Sequence, residues 1–78
     1  MSTRRVPQER RAFGLRVRDL RVGAGLTQED LAERSGLHRT YIVGVETGQR
    51  NLSLDAIHKI ARGLGRSAGD LFVAPEHP

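Results

Sequence analysis

Apolar residues recur along this chain at helical spacing, and no stretch alternates apolar and polar residues for long enough to predict a strand. Pro7 suits the first turn of a helix because proline has no N–H to leave unpaired there. Gly23 and Gly25 end this helix, and Gly25 is the expected left-handed cap. Its apolar stripe has intervals of four, three and four residues: Phe13, Val17, Leu20 and Ala24.

Two short helices joined by a glycine turn are predicted next. Thr27 is placed to accept a hydrogen bond from the N–H of Asp30, which is how a capped helix begins. This helix ends near Ser35, Gly36 supplies a sharp turn, and a third helix begins at residue 38 or 39 and ends near residue 46. The residues expected to face the core are Leu31, Ala32, Leu37, Ile42 and Val45.

The last third of the chain predicts two further helices. Ser53 is a strong N-cap and Gly65 an end signal for the fourth, and Ser67 caps a short fifth helix over residues 68–72. The stripe of the fourth helix is Leu54, Ile57, Ile60, Ala61 and Leu64. The pattern therefore predicts an all-α fold of five helices. Residues 7–73 form the domain, residues 1–6 a flexible basic arm and residues 74–78 a disordered tail.

Length and composition exclude several classes of protein. With 78 residues and no cysteine, we expect one small domain without disulfides or thiolate metal sites. No apolar run approaches the ~20 residues of a membrane span, and no signal peptide follows the basic N-terminus, so we expect a cytoplasmic protein. The single histidines His38, His58 and His77 lack the spacing of metal ligands, and we expect neither a metal nor a cofactor.

Two patterns that formally suggest an enzyme do not fit one. Ser53, Asp55 and His58 lie at offsets of two and five in one helix, which do not share a face as a catalytic triad requires. Residues 63–68 (GLGRSA) match a dinucleotide fingerprint but follow an amphipathic helix instead of a strand. We therefore expect no enzymatic activity.

The charge of the chain is concentrated near its N-terminus. Thirteen Lys and Arg against nine Asp and Glu give a net charge of +4, and the first 21 residues hold seven arginines against Glu9 and Asp19. A basic excess favours a polyanionic partner such as nucleic acid. A solvated, arginine-rich helix has the same composition, so the charge alone leaves both interpretations open. Arg4 and Arg5 either form an arm that enters the minor groove of DNA or are solvated.

The stretch from Thr27 to Gly48 carries the functional signal. A tight turn between two short helices lets the second project one whole face outward, and Arg39 and Thr40 at its start suit base edges in a major groove. Tyr41 either donates to a phosphate or packs its ring on the core. Two further elements are placed to contact the DNA backbone: Gln28 at the preceding helix start, and the polar loop Gln49, Arg50 and Asn51.

These segments resemble the helix-turn-helix family of phage Cro and repressor proteins, the xenobiotic-response-element type. The resemblance spans about residues 13–72 and rests on residues 27–32 (TQEDLA), on residues 35–37 (SGL) and on the spaced residues Ile42, Val45, Glu46 and Gly48. Residues 37–42 (LHRTYI) and 50–54 (RNLSL) look most like controller proteins of restriction–modification systems. The resemblance implies a compact, five-helix, lambda-repressor-like domain of bacterial or phage type that binds double-stranded DNA.

The resemblance also implies roles for single residues. Gly44 has no side chain and is a silent base-facing position. Val43 departs from the polar residue that many relatives carry there, and it either touches a thymine methyl or is merely tolerated. Arg21 and Glu46 match a pair that forms an internal salt bridge. The base-facing positions are Arg39, Thr40, Val43 and Gly44. The positions at the DNA backbone are Gln28, Tyr41, Gln49, Arg50 and Asn51.

Little chain remains to cover the apolar end of the last helix. Leu71, Phe72 and Val73 are therefore expected to form a two-fold homodimer interface, the alternative being a monomer sealed by this helix. The sequence predicts a sequence-specific transcriptional regulator, repressor or activator. The alternative function is an antitoxin or adaptor module that acts mainly through a protein partner, although only short terminal segments are available to bind one.

Overall fold

The computed structural model describes residues 6–73, and its secondary structure there is entirely helical. The elements are α1 (Gln8–Gly23), α2 (Gln28–Ser35), α3 (Arg39–Glu46), α4 (Leu54–Leu64) and a 3-10 helix (Ala68–Phe72). The all-α class is confirmed, with one correction: the fifth helix is a five-residue 3-10 helix, a form that proteins use in short pieces. No helix within residues 6–73 is long and apolar enough to cross a membrane.

The predicted helix ends are present. The Thr27 hydroxyl accepts from the N–H of Asp30 at 2.9 Å, and the Asp30 carboxylate accepts from the N–H of Thr27, also at 2.9 Å. Gly36 takes a left-handed conformation with φ +73° directly after α2. Ser53 caps α4 by accepting from the N–H of Ala56 at 3.1 Å. Local side-chain chemistry therefore defines where α2 and α4 begin.

The core lies between all five elements and contains most of the predicted positions. Two expectations were wrong. Ala24 is exposed because α1 ends at Gly23, and Leu54 is 70% exposed because it is the first residue of α4, where Ala56 faces inward instead. The core residues buried to 9% exposure or less are Phe13, Val17, Leu20, Leu31, Ala32, Ile42, Val45, Ala56, Ile60, Ala61, Leu64 and Leu71.

The position of α3 depends on a close approach to α1. Gly14 is buried where α1 packs on α3, and a Cβ built on it would lie 2.2 Å from the carbonyl oxygen of Val45 and 2.8 Å from that of Glu46. Both of these atoms belong to the backbone, so a side chain could not be accommodated by a change of rotamer. Glycine at this position therefore sets the distance between the two helices.

We expect Gly14→Ala to lower the free energy of unfolding by about 1–3 kcal/mol, as overpacking does in a filled core. Urea denaturation followed by circular dichroism measures this change. The matched control is Gly23→Ala, also in α1, where a Cβ would meet no atom within 4 Å. Equal stability of the two variants would contradict the role given to Gly14.

Candidate nucleic-acid interface

The turn between α2 and α3 orients α3 so that one face is free. The N–H of Leu37 donates to the carbonyl of Ala32 at 2.9 Å, which closes the turn around the left-handed Gly36. Within α3 only Ile42, Val45 and Glu46 are buried. The other residues of this short helix are exposed or half-buried, so α3 lies on the bundle with a continuous outer surface.

The outer surface of α3 holds all four residues predicted to face bases. Arg39 and Thr40 are exposed in the first turn, and Val43 and Gly44 are half-buried one turn later. The first turn of α3 contains no acidic side chain, so Arg39 has no opposing charge there. An exposed cationic helix start of this kind suits the electronegative edges of base pairs.

A buried ion pair connects α3 to α1. The Arg21 Nε lies 2.6 Å from Glu46 Oε2, and the exposed fractions of the two side chains are 11% and 3%. The Arg21 Nη2 donates to Glu46 Oε1 at 3.1 Å, which makes the pair bidentate. The ion pair expected from the resemblance is therefore present, and it joins the ends of the two helices.

Two additional hydrogen bonds extend this ion pair to the start of α2. The Arg21 Nη1 donates to the carbonyl of Leu26 at 2.8 Å, just before α2 begins. The Gln28 Nε2 donates to Glu46 Oε1 at 3.0 Å, so Gln28 braces α3 from the first turn of α2. Gln28 remains half-buried at that helix start. The backbone N–H of Thr27, which donates to the Asp30 carboxylate, lowers the pKa of that carboxyl most, and the Thr27 side chain lowers it further.

The loop after α3 lies against the outer surface of that helix. Gly48 begins it with φ +77°, and the N–H of Gln49 donates to the carbonyl of Gly44 at 2.8 Å. Gln49, Arg50 and Asn51 are exposed, as predicted. The Arg50 guanidinium carbon lies 4.8 Å from the centroid of the Tyr41 ring. The Tyr41 ring is itself half-buried against the core.

The expected dimer residues divide into two groups. Leu71 was wrongly assigned to an interface: it has no exposed surface and belongs to the core, because the 3-10 helix turns it inward. Phe72 and Val73 are 65% and 50% exposed. The Phe72 ring packs on Phe13 with centroids 5.1 Å apart, so its outer side remains free. Of the expected arm and tail, residues 1–5, including Arg4 and Arg5, and residues 74–78 lie outside the described range.

Comparison with known proteins agrees with this geometry. The sequence profile of the helix-turn-helix family matches residues 17–71. The chain is 48% identical over 61 residues to the control protein C.BamHI of Bacillus amyloliquefaciens, covering 77% of this chain and 75% of that protein. The crystal structure of the restriction–modification controller protein C.AhdI from Aeromonas hydrophila superposes with a TM-score of 0.78 at 52% identity, covering 80% and 94% of the two chains.

A second solved structure extends the similarity. The hypothetical transcription factor NHTF from Neisseria superposes with a TM-score of 0.81 at 35% identity, covering 97% of this chain and 91% of that chain. The shared fold therefore includes almost the whole molecule, and it includes both helices of the α2–turn–α3 unit.

We expect Glu46→Ala to lower the free energy of unfolding by about 3–5 kcal/mol, because it leaves the Arg21 guanidinium buried without its partner. The double variant Arg21→Met with Glu46→Met should lose much less than that. Glu33→Ala, at an exposed position of α2, is the control and should change stability by less than about 0.5 kcal/mol. A Glu46→Ala chain as stable as the control in urea would rule out a structural role for the pair.

Proposed function

The chain belongs to the helix-turn-helix family, and from this premise we propose that it is a sequence-specific DNA-binding regulator of transcription that places α3 in the major groove of its operator. The single observation that carries the proposal is the exposed, unopposed cationic start of α3 on a helix braced from behind by the Arg21–Glu46 pair and Gln28. A recognition helix must be both accessible and fixed in orientation, since a displaced helix misaligns every base contact.

The proposed base contacts begin with Arg39. Its guanidinium is suited to donate two hydrogen bonds to O6 and N7 of one guanine, the commonest specific contact in major grooves. Thr40 beside it offers a hydroxyl that both donates and accepts, and Val43 one turn later presents methyl groups to a thymine methyl. These three residues line the same outer surface of α3.

The proposed backbone contacts lie on both sides of this helix. Gln28 approaches one strand from the first turn of α2, where backbone N–H groups also point outward. Gln49 and Asn51 lie in the loop beyond the other end of α3. The Tyr41 hydroxyl is proposed to donate to a phosphate while its ring stays on the core. Such contacts orient the protein on the duplex without selecting its sequence.

A homodimer is proposed as the active form. Phe72 and Val73 place exposed apolar surface at the end of the chain's last helix, and a two-fold axis there would cover both residues on each protomer. Such a dimer binds two related half-sites about one helical turn, ~10 bp, apart. The relatives named control or controller proteins make restriction–modification control the proposed biological role, exerted on DNA in the cytoplasm.

We expect Arg39→Ala to weaken binding to the preferred duplex by about 1–3 kcal/mol and to relax the preference at one base position. The duplex is obtained by selection from a randomised pool with the unaltered chain, and affinities are measured by gel shift at fixed salt. Arg66→Ala is the matched control, because Arg66 is exposed beyond the end of α4. If Arg39→Ala binds the selected duplex as tightly as the control does, Arg39 does not contact a base.

We expect Val73→Asp to convert the dimer into a monomer, because a two-fold interface would bring two new carboxylates together in an apolar contact. Light scattering over a range of protein concentrations measures the mass. Val22→Asp is the matched control: Val22 is 55% exposed against 50% for Val73, but it lies near the opposite end of α1 from Phe13. A Val73→Asp chain that remains dimeric places the interface elsewhere.

A further inference from the structure

Gly44 is the residue of α3 on which another side chain rests. A Cβ built on Gly44 would lie 2.7 Å from Cγ of Arg50 and 3.2 Å from its Nε, and the three nearest atoms all belong to Arg50. The aliphatic part of Arg50 therefore occupies the space that a side chain at residue 44 would fill. Any larger residue here would push Arg50 off the helix.

The guanidinium end of Arg50 is also held. Its central carbon lies 4.8 Å from the centroid of the Tyr41 ring, within the range of a cation–π contact. The ring is a fixed support because it packs on the core. Since Gly44 contacts the stem and Tyr41 the head, the side chain runs along α3 toward its N-terminal turn.

The start of the loop that carries Arg50 is fixed as well. The N–H of Gln49 donates to the carbonyl of Gly44 at 2.8 Å. A Cβ built on Gly48 would lie 3.1 Å from Cα of Arg11, so this turn packs directly on the first turns of α1. A long side chain that is already ordered loses less entropy when it forms hydrogen bonds with a ligand.

We propose that Gly44 is a notch that holds Arg50 on the DNA-reading surface, and that Arg50 is a specificity-determining residue there. This rests on the proposed function and differs from the resemblance, which implied a backbone contact for Arg50. A phosphate contact from an exposed loop needs no notch and no fixed direction. A guanidinium held over the Tyr41 ring on the outer surface of α3 instead presents its planar donors where base edges would lie. Gly44 then acts through Arg50 as a positioning residue.

Two variants of Arg50 separate base contact from phosphate contact. Affinities are measured for the duplex selected by the unaltered chain and for a scrambled duplex of the same composition. Arg50→Lys keeps the charge but lacks the planar guanidinium, so one bidentate base contact is lost. Its affinity for the selected duplex should fall by about 5- to 150-fold, and its affinity for the scrambled duplex should be nearly unchanged. Arg50→Ala should lower the preference to a similar extent.

The notch is tested with Gly44→Ala. The added methyl group displaces only the flexible Arg50 side chain, so the variant should melt at a temperature near that of the unaltered chain while losing most of its preference for the selected duplex. In the Arg50→Ala background the same substitution should have no further effect on preference. The matched control is Gly23→Ala, at a helical glycine with open space around it. This variant should change neither the melting temperature nor the preference for the selected duplex.

Three results would overturn the proposal in different ways. If Arg50→Lys binds both duplexes as the unaltered chain does and Arg50→Ala weakens both equally, with a salt dependence reduced by about one phosphate contact, Arg50 grips only the backbone. If Gly44→Ala keeps the full preference, the notch does not position Arg50. If the unaltered chain selects no duplex from the pool, the proposed function itself fails, whichever variant is examined.

Discussion

The bidentate pair between Arg21 and Glu46 is the interaction on which the arrangement of this molecule depends. It joins the end of α1 to the end of α3, and Arg21 and Glu46 extend it to Leu26 and Gln28 on either side of the start of α2. A buried ion pair is costly unless additional hydrogen bonds satisfy its polar atoms, and within residues 6–73 no buried side-chain nitrogen or oxygen lacks a partner. Three helices are thereby held in one relative orientation by a few directional bonds.

Two glycines complete this control of α3 from opposite sides. Gly14 lets α1 approach until its backbone contacts the carbonyls of Val45 and Glu46, which places Glu46 within reach of Arg21. Gly44, on the outer side, leaves space for the stem of Arg50. Both positions work because a side chain is missing, and in each case the space is used by a different part of the chain. α3 is therefore held by α1 on its inner surface, and its outer surface has space for the Arg50 side chain.

Much of this could be predicted from the sequence, because caps, turns and core stripes are local signals. Thr27, Gly36 and Ser53 act within a few residues of themselves, so their effects are visible in the chain. Leu54 and Leu71 could not be assigned in the same way, since their exposure depends on how α4 and the 3-10 helix are turned toward distant neighbours. The packing of Arg50 on Gly44 could not be predicted either, because the course of the following loop brings Arg50 to this position.

The location of charge explains why net charge alone could not distinguish a protein that binds nucleic acid from one with a solvated, arginine-rich helix. Most of the basic excess is in the first 21 residues, yet Arg21 is turned inward and neutralised by Glu46. Glu46 is also the only acidic residue of α3, so the same bond removes the one negative charge that would oppose a polyanion at this helix. The outer surface is left with Arg39 and, across Gly44, Arg50. A single internal ion pair thus fixes both the orientation of the helix and the sign of its exposed surface.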